Sequence, residues 1–163
     1  MNEATKKALV ESLLAKLEAE LANMRRAAKD AREAATHEEA KPENDKDTRA
    51  LEASYLAGAQ AARVREIEVA MKGIEGMRLL DLAGGKPIQA SAIVTLEDEE
   101  GDRTTFFLAP YGGGTTLDGT CTGVQVVTPQ SPLGRALLGH SEGDSVEVRG
   151  KGKPRQLAIV RVT

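Results

Sequence analysis

Two apolar ladders in the first half of the chain mirror each other about one proline. Val10, Leu14, Leu17, Leu21, Met24, Ala28, Ala31 and Ala35 recur at alternating spacings of four and three. Ala50, Ala53, Ala57, Gln60, Val64, Ile67, Met71 and Ile74 repeat the pattern after Pro42. Each ladder puts one stripe on one face of a helix, and a chain folding back at Pro42 brings the stripes together as an antiparallel hairpin. In that register Val10 faces Ile74, Leu17 faces Ile67 and Ala35 faces Ala50, with Gln60 near Met24 or Arg25. The seam is Leu, Ile, Val and Met at its open end and alanine toward the turn, which predicts a hairpin that narrows to a slim tip.

The first helix is predicted over about residues 5–35 and the second from a cap at Asp47 or Thr48 to Ile74 or Met77, each arm roughly 40 Å long at the α-helical rise. The connection, residues 36–47, is polar, and Pro42 disfavours helix at Lys41. It carries Glu38, Glu39, Glu43, Asp45 and Asp47 against Lys41 and Lys46. Crowded carboxylates weaken one another's ionisation, a repulsion that a divalent cation relieves. Glu39 and Glu43, flanking the bend, are the candidate carboxylate donors, with Glu38, Asp45 and Asp47 in reserve. A solvated hairpin turn has the same composition. Arg25, Arg26, Lys29 and Arg32 form a basic strip on helix one, suited either to phosphate contact or to ordinary ion pairs such as Lys29 with Glu33. His37 reads as a solvated or capping residue.

Beyond Gly73, Gly76, Gly84, Gly85 and Pro87 the apolar period changes to two. Strands are expected near residues 90–96, 103–108, 122–127, 145–148 and 156–162, with a short helix over 131–139 that Ser131 caps, Pro132 opens and Gly139 ends. The fold class is therefore α+β: an antiparallel coiled-coil hairpin over residues 1–77, a linker over 78–88, and an antiparallel sheet with one short helix over 89–163. Gly112 to Gly114 lack the lysine and following helix of a phosphate loop and read as a flexible surface turn. The glycines around the junction permit a hinge.

Composition narrows the function classes. The net charge of −3 across 163 residues gives no bulk basic surface for nucleic acid. Tyr55, Phe106, Phe107 and Tyr111 are the only aromatics, too few for a base-stacking platform. A single cysteine, Cys121, excludes an internal disulfide and a cysteine-based zinc site, and reads as a small core residue. No apolar run is long enough to span a membrane, and the N-terminus leads into an amphipathic helix, so a cytoplasmic monomer is expected.

Residues 127–139, Val-Thr-Pro-Gln-Ser-Pro-Leu-Gly-Arg-Ala-Leu-Leu-Gly, followed by Glu142-Gly-Asp144 and Val146-Glu-Val148, resemble the C-terminal domain of the Gre family of bacterial transcript-cleavage factors. His37 and Glu43-Asn44 resemble parts of that family's tip motif, although the segment here is one residue longer and contains Pro42. The resemblance implies an FKBP-like second domain that docks on RNA polymerase, with Ser131, Pro132, Leu133, Gly134 and Arg135 as the docking candidates. It further implies a hairpin that enters the secondary channel, where tip carboxylates help hold the polymerase's Mg2+ and the basic strip meets the nascent RNA 3′ end. Cleavage would then be the polymerase's own, since the tip offers ligands but no nucleophile. A homologue that occupies the channel without stimulating cleavage is the alternative. A prolyl isomerase is disfavoured, because only Phe106, Phe107 and Tyr111 are available to line its pocket.

Overall fold

The computed structural model describes residues 3–38, 48–118, 123–149 and 152–163. Two long helices come first, α1 (Glu3–Glu38) and α2 (Thr48–Glu75). The strands and the third helix follow in the order β1 (Ile93–Glu97), β2 (Arg103–Leu108), β3 (Thr116–Leu117), β4 (Val124–Val127), α3 (Pro132–Leu137), β5 (Ser145–Val148) and β6 (Arg155–Val162). The chain forms two compact units: residues 16–69, and residues 1–15 together with 70–163.

In the first of these units the expected apolar line survives on α2, where Ile67 is buried and Val64 and Gln60 are half-buried. On α1 the buried line is Leu17 and Leu21, and toward the N-terminus, in the other unit, it continues through Leu13, Leu9 and Lys6, with Val10 and Leu14 only half-buried. The stripe therefore turns by one position from the ladder expected there. The cause lies in what this end of α1 meets. Leu13 packs on the loop after β2, where a Cβ placed on Gly112 would lie 2.8 Å from its Cδ1.

Two ion pairs join α1 to α2, Arg25 to Glu68 at 3.0 Å and Arg63 to Glu20 at 3.1 Å. α1 continues to Glu38, past the expected end at Ala35, because nothing before Pro42 breaks it. The seam of small residues does not close. Ala31, Ala57 and Ala61 remain exposed, and a cavity of about 490 Å³ opens between the helices. Alanine pairs bury little apolar area and so contribute little to drawing the helices together. The expected contact of Ala35 with Ala50 lies outside the described side chains.

The second unit holds a six-stranded sheet in the order β3-β4-β2-β1-β6-β5. Its ladders are antiparallel except that β2 and β4 run parallel, pairing Phe106 with Gln125 and Leu108 with Val127. The expectation of a wholly antiparallel sheet fails at this one ladder. The segment between β2 and β4 is long enough for a crossover and contributes the short strand β3, which the glycine-rich sequence concealed. One sheet face, with Val94, Leu96, Leu108, Val127, Ile159 and Val162, forms a core with Leu82, Ile88 and Leu137 of α3. The opposite face carries Ile93, Phe107 and Val126, paired across β1, β2 and β4 and all buried.

The loop after β2 is a packing element rather than a free turn. Gly112 takes φ +82° and leaves room for Leu13, and the Tyr111 ring lies where a side chain on Gly73 of α2 would stand. Ser12 Oγ donates to the Asp118 carbonyl at 3.1 Å. Gly73 and Gly112 thus serve close approach, the first on α2 and the second in the glycine-rich loop.

Lys6 is buried in the same unit at 3% exposure, and its Nζ donates to the Leu80 carbonyl at 2.6 Å. Burial lowers its pKa from the ordinary 10.5 to about 8, partly opposed by Asp81. The unfolded chain therefore holds this proton more tightly than the folded one. Below about pH 8 the buried ammonium costs stability, and stability rises from about pH 8 to 10.5 as the folded state sheds the proton. The full shift corresponds to about 3 kcal/mol. Urea-unfolding midpoints at pH 7.5 and 10.5 are expected to differ by less in Lys6→Met than in the wild type; equal pH dependence in both would refute the assignment.

Candidate functional site

The segment expected to carry the acidic chemistry follows α1. Glu39, Pro42, Glu43, Asp45 and Asp47 lie outside the described residues, as do the side chains of His37 and Glu38. Cys121 lies outside them too. What is fixed is the frame around the acidic stretch: α1 is helical through Glu38 and α2 is helical from Thr48.

The basic strip on α1 is described in full. Arg25 donates to Glu68 on α2 at 3.0 Å, and Lys29 Nζ stands 3.7 Å from Glu33 one turn on. Arg26 and Arg32 are exposed, and Arg32 lines the cavity between the helices. The ion pairs sit at 44–75% side-chain exposure, where such pairs contribute at most about 1 kcal/mol. A phosphate could therefore displace the carboxylates at little cost. The sequence reading confined the basic surface to α1. The structure adds Arg65 of α2 to the same cavity, and Arg63, which donates to Glu20 and Glu66. Their position beside the seam residue Val64 was the available signal.

The segment around α3 is built from its cap outward. Ser131 Oγ accepts from the Gly134 amide at 3.0 Å and donates to the Thr128 carbonyl at 2.8 Å, so one hydroxyl ties the helix start to the preceding turn. Pro132 opens the helix, and the Leu138 amide closes it on the Gly134 carbonyl. Gly134 is buried and Leu133 is partly buried against the core. Of the docking candidates, only Pro132 and Arg135 are exposed, and Arg135 Nε donates to the Gln130 carbonyl at 2.9 Å. Leu138, at 38% exposure, continues this surface.

The Glu142-Gly-Asp144 turn is equally structural. The Glu142 carboxylate accepts from the Val162 amide, Asp144 Oδ2 accepts from the Ser141 amide, and the Ile159 amide donates to the Asp144 carbonyl. A second acidic turn joins β1 to β2, where Asp98 Oδ1 accepts from the amides of Glu100 and Asp102. These bonds account for Asp98 as a turn-forming residue.

Two long helices joined by an acidic connection, followed by a mixed sheet with one capped helix, define a two-part α+β protein. Residues 85–163 match the family described as transcription elongation factor, GreA/GreB, C-terminal. It is 30% identical over 107 residues to transcription elongation factor GreA of Verminephrobacter eiseniae, covering 65% of this chain and 64% of that protein. It is likewise 30% identical over 101 residues to GreA of Thioalkalivibrio sulfidiphilus, covering 61% and 60%. The match thus spans less than two thirds of the length of these relatives. A solved structure of the transcription factor Gfh1 aligns over 96% of this chain and 94% of its own, with 25% identity and a TM-score of 0.41.

Proposed function

We propose that this protein is a cytoplasmic transcription elongation factor that binds bacterial RNA polymerase, inserts its hairpin tip into the secondary channel and stimulates magnesium-dependent cleavage of backtracked RNA. The observation that carries the reading is the GreA/GreB domain over residues 85–163, joined to two long helices with five carboxylates in or beside their connection. Among the described residues no helix is long and apolar enough to cross a membrane.

In this reading the α3 surface at Pro132 and Arg135 docks on the polymerase, while Ser131, Leu133 and Gly134 hold that surface in place. Glu39 and Glu43 would supply oxygen ligands to a magnesium ion that the polymerase alone holds weakly. Carboxylates suit this hard cation, which retains several waters and accepts one or two protein oxygens. The ion would orient the attacking water and offset charge on the scissile phosphate. Arg25, Arg26, Lys29 and Arg32 would position the extruded RNA through its phosphates, with Arg25 and Lys29 exchanging their weak carboxylate partners. The chain is not itself the nuclease.

A second reading, occupancy of the channel without cleavage, is favoured by one sequence observation. Pro42 stands between Glu39 and Glu43 and constrains the bend that must bring them together. Stalled, backtracked elongation complexes distinguish the two. Added protein with magnesium is expected to shorten the RNA, and Glu43→Ala or Glu39→Ala to reduce the rate by at least about tenfold while polymerase binding is unchanged. Binding with no shortening at saturating protein would establish the occupancy reading. No binding would overturn both.

A further inference from the structure

The cavity between α1 and α2 is part of neither the acidic connection nor the α3 surface. We propose that it binds a single-chain anionic amphiphile, an alkyl chain ending in a carboxylate or a phosphate. The argument rests on three observations within the unit formed by residues 16–69.

The first is volume. About 490 Å³ is in the range of small-molecule sites and far above the voids left by imperfect side-chain packing. The second is the wall. Met24, Ala28 and Val64 give it an apolar interior suited to an alkyl chain. Leu56 reaches the same cavity while 62% exposed, so part of its apolar surface is left in water by the hairpin itself. The third is charge. Every ionisable residue on the wall is an arginine: Arg25, Arg32 and Arg65. Glu68 accepts from Arg25, but the cavity wall itself carries no carboxylate. An alkyl chain would bury the apolar wall, and its anionic head would pair with the Arg65 guanidinium at its edge. A cationic or uncharged amphiphile gains only the first of these.

The test uses the full chain with dodecanoate, dodecyl phosphate and, as the opposite-charge control, dodecyltrimethylammonium, all below their micellar concentrations. Titration calorimetry and thermal unfolding are read together. Saturable binding of one anion per chain with a raised Tm is expected, and the two anionic arms report whether carboxylate or phosphate is preferred. Ala28→Leu narrows the cavity and is expected to weaken binding while leaving the protein folded. Arg65→Gln leaves the volume unchanged and is expected to weaken anion binding by about tenfold, a discrimination available even if Ala28→Leu does not fold. Absence of binding by both anions, equal binding of the cation, or unchanged affinity in Arg65→Gln would overturn the proposal. So would sedimentation showing that the groove is closed by a second copy of the chain.

Discussion

Gly134→Ala is expected to destabilise the sheet unit by about 3 kcal/mol or more, a loss large enough to leave much of it unfolded. A Cβ at Gly134 would overlap the Thr128 carbonyl oxygen and would lie 2.8 Å from its carbon and 3.1 Å from the Pro129 Cα. All of these are backbone atoms, so no rotamer change relieves the collision. α3 would have to lift, and lifting it strains the bonds that hold its start: the Gly134 amide to Ser131 Oγ, and the Ser131 amide and hydroxyl to the Thr128 carbonyl. Leu137, fully buried on the same helix, would move with it. Guanidinium unfolding followed by circular dichroism measures the effect, with Ser131→Ala as the comparison, expected to lose only about 1 kcal/mol as a missing cap. A loss below about 1 kcal/mol in Gly134→Ala would show that α3 is free to shift.

The glycine also shows what was legible in the chain before its structure. Ser-Pro-Leu-Gly announced a capped helix, because each residue acts within one turn: Ser131 caps, Pro132 opens, and the helix follows in place. The need for glycine at 134 depends on the distant packing of that turn against Thr128, which no local pattern encodes. The same division runs through the rest of the molecule. Strands β1, β2, β5 and β6 were readable from their period of two. The parallel partnership of β2 with β4 was not, since it follows from a crossover whose glycines look like a loop. The ladder on α2 was readable, but the turn of the α1 stripe onto Lys6, Leu9 and Leu13 was not, because a tertiary partner, the loop at Gly112, selects it. Alanine spacing predicted a closed seam, and the three arginines beside it, unremarkable singly, are gathered by the pairing of α1 with α2. The candidate site was legible as composition. Glu39 and Glu43 stand out as carboxylates around a proline, while the geometry that would join them is a property of the connection itself and not of either helix's periodicity.

Phe107→Ala is expected to cost about 3–5 kcal/mol and to loosen more than the sheet. Phe107 is fully buried and sits between Ile93 and Val126 in the register of β1, β2 and β4, on the face opposite the α3 core. Alanine would leave a cavity there that neighbouring strands, fixed by their ladders, cannot collapse to fill. Residues 1–15 and the end of α2 belong to the same compact unit, with Leu9, Leu13 and Ile74 each at most 1% exposed. Cooperative opening follows such packed units rather than secondary-structure boundaries. Hydrogen exchange read by mass spectrometry is therefore expected to speed up together in β1, β2, residues 6–15 of α1 and residues 70–75 of α2, while the remainder of the two helices, residues 16–69, changes little. Faster exchange confined to the strands would show that the helix ends are held by something other than the sheet unit. Uniform acceleration along both helices would show instead that the hairpin has no stability apart from the sheet.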